Sequence, residues 1–184
     1  MVLSQYDYTY TLDGNQISKA SETVAAGMGT ESFSLTEGIA GGELSRYNGF
    51  NQMVETDVNG TNVIYTYAPS GLRLSKTVCN TETDFVLDGN NVVLELSGGS
   101  VTAKYVRGIN LVCSIIGSAT NYYLYNGHGD VTQLVGASGT VTKEYDYDAF
   151  GNEKDPSASD TNPFRYCGEY YDLSSGTYYL RARL

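Results

Sequence analysis

The stretch "NGHGD", residues 126–130, holds the chain's only histidine, His128, two residues before Asp130. A histidine beside a carboxylate is half of an acid–base pair, and serines and cysteines elsewhere offer nucleophiles. No nucleophile elbow or Cys-His motif surrounds it, so the sequence favours a turn histidine satisfying local backbone groups. No catalytic residue is assigned, and the expectation is a protein that is not an enzyme. One histidine also argues against a transition-metal site. Cys79, Cys113 and Cys167 are odd in number, far apart and in no CxxC pair. They read as small apolar fillers, with a single disulfide left open for an exported protein. Asp7, Asp13, Asp146 and Asp148 alternate oxygen donors, but not at calcium-loop spacing. Neither a metal nor a cofactor is expected. Arg181 and Arg183 stand at strand spacing in "YYLRAR" and share one face. They either contact an anion or a downstream segment, or pair with Glu169 or Asp172.

A second pattern is architectural. Two tyrosines two apart, with a glycine four residues after the second, recur along the chain. Tyr8, Tyr10 and Gly14 make one set, and Tyr65, Tyr67 and Gly71 another. Tyr123, Tyr125 and Gly129 follow, then Tyr145, Tyr147 and Gly151. Gly89 holds the same place in "LDGNN". Along a strand, side chains alternate, so each Tyr-x-Tyr pair shares a face. Glycine beside Asn or Asp accepts the positive φ of tight turns. Taking the second aromatic of each unit as marker gives Tyr10, Tyr47, Tyr67, Phe85, Tyr105, Tyr125, Tyr147 and Tyr166, near 20 residues apart after Tyr47. The spacing predicts an all-β array of short antiparallel hairpins forming one curved, continuous sheet. Nine units would give roughly 18 strands. Stacked tyrosines are expected to form an aromatic ladder between hairpins. Residues 19–45 lack this signature and read as a degenerate unit, an insertion or a short helix around 24–28.

Composition narrows the class. The 184 residues include 17 Tyr, 21 Gly and no Trp, with a net charge of −10. Phosphate contacts need clustered Lys and Arg, so no nucleic-acid partner is expected. No run of roughly 18 apolar residues spans a bilayer, and no secretory signal opens the chain.

Residues 122–153, "YYLYNGHGDVTQLVGASGTVTKEYDYDAFGNE", and 162–183, "NPFRYCGEYYDLSSGTYYLRAR", resemble the Rhs repeat-associated core region of Rhs, or YD-repeat, proteins. "YVRGINLV" and "YAPSGLRLSKTV" are similar to the repeats that precede that core. The resemblance implies a secreted or cell-surface bacterial polymorphic toxin, with distant likeness to teneurins. It implies a β-sheet that spirals into a hollow shell around a variable toxic domain. Many members cleave themselves at an aspartate after the core. Here Asp155-Pro156 lies in a polar loop without the second Asp-Pro segment, and protease activity is not transferred. Three stretches result: 1–45 degenerate repeats with an insertion, 46–120 repeats, and 121–184 core region. The expected partners are neighbouring shell segments or a second copy through sheet edges, and a toxin cargo. A competing reading is a surface module binding glycans or a receptor through exposed tyrosines.

Overall fold

The computed structural model describes residues 3–12, 15–24, 43–157 and 159–181. Its first strands are β1 (Leu3–Tyr10), β2 (Gln16–Val24), β3 (Glu43–Tyr47), β4 (Met53–Val58) and β5 (Thr61–Tyr67). Then come β6 (Arg73–Val78), β7 (Thr81–Asp88), β8 (Asn91–Ser97), β9 (Ser100–Arg107) and β10 (Leu111–Ile116). β11 (Ala119–Tyr125), β12 (Val131–Gly136) and β13 (Val141–Glu144) complete one antiparallel sheet of 13 strands in strict chain order. A 3-10 turn (Tyr166–Gly168) and a separate hairpin of β14 (Tyr170–Asp172) and β15 (Thr177–Tyr179) follow. The all-β meander is as expected, and no α-helix occurs among the described residues.

Among the described residues the strands number 15 rather than about 18, and the chain from Tyr145 onward runs mainly as loops stitched by side chains. The divisions expected at 45/46 and 120/121 fall inside β3 and β11. The short helix at 24–28, one of three readings of that stretch, lies outside the described residues past Val24, as do Gly14 and Arg183.

One loop chemistry is repeated. Asn48, Ala68, Asn126 and Asp148 each receive the N–H of the residue three on, at 2.9–3.2 Å. Three of those receiving donors are Gly71, Gly129 and Gly151, at φ 85°, 94° and 84°. Asn51 fills the fourth place at φ 57°. Asn126 Oδ1 also accepts the N–H groups of His128 and Asp130, and Asp148 Oδ1 those of Phe150 and Asn152. An Asn or Asp at the turn's start thus satisfies donors that the ladder leaves free. Gly89 has φ 58° in the β7–β8 turn.

The Tyr-x-Tyr pairs divide their labour. A register shift precedes the second member in β1, β5 and β11, at Thr9/Tyr10, Thr66/Tyr67 and Leu124/Tyr125, and precedes Tyr47 in β3, where Ser45 takes the first place. The first member points into the core: Tyr65, Tyr123 and Tyr145 are buried. The second reaches back one hairpin. Tyr67 donates its hydroxyl to the Met53 carbonyl at 2.7 Å, Tyr125 to Leu111 at 2.8 Å and Tyr147 to Val131 at 3.0 Å. Arg107 does the same for Val92 at 3.3 Å. Phe85 and Tyr105 are therefore first members, buried like Tyr65, rather than the second-place markers expected from spacing. Tyr8 and Tyr10 remain exposed.

Candidate functional site

Residues 160–181 return across the buried face of the sheet, and this seam is the most heavily built part of the molecule. Phe164 packs edge-on against Tyr105 at 4.9 Å between ring centroids, and against Tyr170 at 5.4 Å. Tyr170 meets Phe85 at 5.6 Å. Ring contacts join members of one pair, as in Tyr145–Tyr147, rise from the sheet to this segment, as in Tyr105–Phe164, or lie within the segment, as in Tyr171–Tyr178. The expected hairpin-to-hairpin ladder is thus replaced by hydroxyl–carbonyl latches below and a shared aromatic roof above.

Polar groups lock the roof in place. Asn162, buried, accepts from the Tyr123 hydroxyl at 2.5 Å and donates to the Tyr145 hydroxyl at 3.0 Å and the Phe164 carbonyl at 2.6 Å. Arg165, also buried, pairs with Glu153 at 3.0 Å and Asp160 at 3.2 Å. Lys143 holds the other Glu153 oxygen at 2.6 Å. Glu95 Oε1 accepts the hydroxyls of both Tyr105 and Tyr170 at 2.8 Å. The Val131 N–H donates to the Arg165 carbonyl at 3.1 Å, so the segment also takes a backbone bond from β12.

At the far end, Asp172 accepts from Arg73 at 3.0 Å and Lys76 at 3.1 Å. The Arg73 guanidinium lies 4.4 Å from the Tyr179 ring centroid and about 5 Å from those of Tyr65, Phe85 and Tyr170. An aromatic cage over a paired guanidinium stabilises it through the rings' negative faces. Asp172 is thereby committed to β6. Arg181 pairs with Glu169 and donates to Asn91 Oδ1 at 3.0 Å.

Sequence reasoning missed Arg73, Asn162, Glu153 and Arg165 as site residues. The partners of Arg73 and Asn162 lie 99 and 39 residues along the chain, while Glu153 and Arg165 meet across 12 residues of loop. The carboxylates and cations in "NPFR", "EYYD" and "RLSK" were the available signal, without information on which would meet.

The cysteine expectation also changes. Cys113 is buried, whereas Cys79 and Cys167 are exposed, and all three are free thiols. His128 does contact Asp130, its Nδ1 standing 2.9 Å from Oδ1. Cys167 Sγ approaches that same nitrogen at 3.9 Å. A relay needs nucleophile and carboxylate on opposite ring nitrogens, so this corner is not a triad. Burial and the Asp130 charge also push the Cys167 thiol up, away from thiolate. Burial raises Asp130 too, but hydrogen bonds from Asn126, the Cys167 N–H and His128 outweigh it and hold its carboxyl below the usual range.

The fold and seam define a class: a β-wall of chain-ordered hairpins roofed by its own C-terminal segment. That fold is shared with the crystal structure of TcdB2-TccC3-TEV, at a TM-score of 0.58 and 17% identity over 96% of this chain and 11% of that one. It is shared also with the Photorhabdus luminescens Tc holotoxin pore, at 0.55 and 15% over the same shares. In sequence, the chain is 38% identical over 127 residues to the tRNA3(Ser)-specific nuclease WapA of Bacillus spizizenii. It is 37% identical to the tRNA(Glu)-specific nuclease WapA of Bacillus subtilis subsp. natto, and 36% to the tRNA nuclease WapA of Bacillus subtilis strain 168. Each match takes in 65% of this chain and 5% of the relative, so the chain spans a small part of these proteins. No family model matches it. These relatives overturn the expectation of a protein apart from enzymes: its sequence is shared with named nucleases. The reason it was not legible is that no signature in these residues records what a far longer protein does. No helix among the described residues is long and apolar enough to cross a membrane.

Proposed function

We propose that the chain is a shell segment of an Rhs/YD-repeat toxin, a stretch of β-wall that helps enclose or present a toxic domain of the same protein. The observation that carries this is residues 160–181 folding back over the wall's buried face and locking there through Asn162, Arg165 and Asp172. Such a roof gives the wall a finished inner surface where a repeat module for surface binding would keep its rings open. Tyr65, Tyr123 and Tyr145 are buried instead. The fold shared with the Tc toxin chains supports the reading.

The cargo proposed by analogy with the WapA proteins is a nuclease acting on tRNA, in a secreted or cell-surface bacterial protein. Relatives named for tRNA3(Ser) and tRNA(Glu) match almost equally, at 38% and 37%, so no role in choosing a tRNA is proposed for this stretch. A net charge of −10 fits a surface that does not itself hold RNA. β1 and β13 end the strand order, each with one side lacking a strand partner among the described residues. Those sides would pair with neighbouring shell segments or a second copy.

Limited proteolysis of the full-length protein tests the reading. The toxic domain is expected to resist protease while the wall is intact and to become cleavable when Asp172→Ala loosens the roof. Equal cleavage of that domain in both proteins would overturn it.

A further inference from the structure

The turn between β11 and β12 meets the 3-10 turn at a corner outside the aromatic seam. Three unlike donor atoms converge there from two separate segments: His128 Nδ1, Asp130 Oδ1 and Cys167 Sγ. The nitrogen lies 2.9 Å from the oxygen and 3.9 Å from the sulfur, and all three atoms lie within 4.8 Å of one another. A tetrahedral ion with bonds of about 2.0–2.3 Å to such ligands holds them roughly 3–4 Å apart. We propose that this corner binds a borderline-soft divalent cation of the Zn2+ class, through imidazole, carboxylate and thiolate, with solvent as fourth ligand.

The surroundings are those of a ligand set. Asp130 is oriented from outside, by Asn126 Nδ2 on Oδ2 at 2.8 Å and by the Cys167 N–H on Oδ1 at 2.9 Å. Metal-bound carboxylates are held by outer hydrogen bonds of this kind. His128 and Cys167 are exposed, free to make the shift of up to about 1 Å that would bring atoms within 4.8 Å to the roughly 3–4 Å spacing of a bound ion. An open cleft of about 320 Å³ adjoins the corner, and Asp148 on its wall adds negative charge along the approach, while Asp146 there pairs with Lys154 at 2.8 Å. Without a cation the thiol keeps its proton; a bound divalent ion reverses that balance, and the proton leaves to solvent as the metal–sulfur bond forms. The ion would tie the β11–β12 turn to residues 165–168 and so fasten the roof to the wall. This site does not depend on the cargo proposed above.

Titrating the intact chain with Co2+ tests the proposal, since a thiolate–cobalt bond absorbs in the near ultraviolet. The band is expected to saturate at one ion per chain, in keeping with a single site, and to vanish on adding Zn2+. Cys79→Ser and Cys113→Ser should retain it, and Cys167→Ser should lose it. His128→Gln should weaken binding by about tenfold or more, the scale on which even outer partners of metal ligands act. Circular dichroism verifies that each variant folds. Absence of the band in the unaltered chain, or its survival in Cys167→Ser, would overturn the site. The unaltered chain gives a second readout: Zn2+ should raise its Tm, and an unchanged Tm at saturating Zn2+ counts against binding.

Discussion

Arg73 and Asp172, 99 residues apart in the chain, meet at 3.0 Å with side chains only 5% and 1% exposed. The pair joins the first residue of β6 to the last of β14, so an ionic contact ties the wall to its roof. Asp172 receives Lys76 as well, and the rings of Tyr65, Phe85, Tyr170 and Tyr179 close around the guanidinium.

Removing the carboxylate leaves a caged cation without its counter-charge. Asp172→Ala is expected to cost about 3–5 kcal/mol, the range for breaking one half of a buried pair. The double variant Arg73→Met/Asp172→Leu should recover much of that loss, because apolar groups of similar size need no partner. Urea denaturation measures both. A loss below about 1 kcal/mol in the single variant would mean that water reaches the pair.

The second tyrosines act through their hydroxyls. Tyr125→Phe and Tyr147→Phe keep the rings and remove only the latch to Leu111 and Val131. Each is expected to cost about 1 kcal/mol, the net value of a hydrogen bond, or up to about 3 if the carbonyl stays dry. Equal stability of the phenylalanine variants would assign those positions to ring packing alone.

Two glycines separate space from backbone conformation. Gly89 has φ +58° with nothing within 4 Å of an added Cβ, so Gly89→Ala should cost about 1–2 kcal/mol from conformation alone. Gly151 has φ +84°, and its added Cβ would lie 2.6 Å from the Tyr166 ring. Gly151→Ala should therefore cost clearly more and displace Tyr166, which thermal unfolding and the Tyr166 ring resonances would register together.

The buried phenols predict alkaline lability. Burial, chiefly, pushes Tyr67, Tyr125 and Tyr178 up to about 12 and Tyr105, Tyr123, Tyr145 and Tyr170 further. A folded value above the unfolded one, near 10, means that above about pH 10 the native state holds more protons than the unfolded state. Stability is thus intact below about pH 10 and falls above it, by about 1.4 kcal/mol per pH unit for each deeply buried phenol. Phenolate absorbance should lag on titration and then rise together with the loss of circular dichroism. Independent titration of these tyrosines near pH 10 in a folded chain would contradict the burial.

Some of this was written locally. Tyr-x-Tyr spacing and Asn, Asp and Gly at the turns prescribe strand, bend and strand within a dozen residues, because alternation and φ preference act over that range. The antiparallel meander, its chain-ordered pairing and the turns at Gly71, Gly129 and Gly151 follow from it. The marker series slipped at Phe85 and Tyr105, since a ring in a strand does not say whether it precedes or follows a bulge. Which side chains share a site was another matter. Asp172 is three residues from Glu169 and nine from Arg181, yet it pairs with Arg73, and Cys167 comes to His128 from a separate segment. Those meetings depend on where the C-terminal segment lies across the sheet. That placement is fixed by the joint burial of Phe164 and Tyr170 against four strands at once, a condition no single stretch of residues contains.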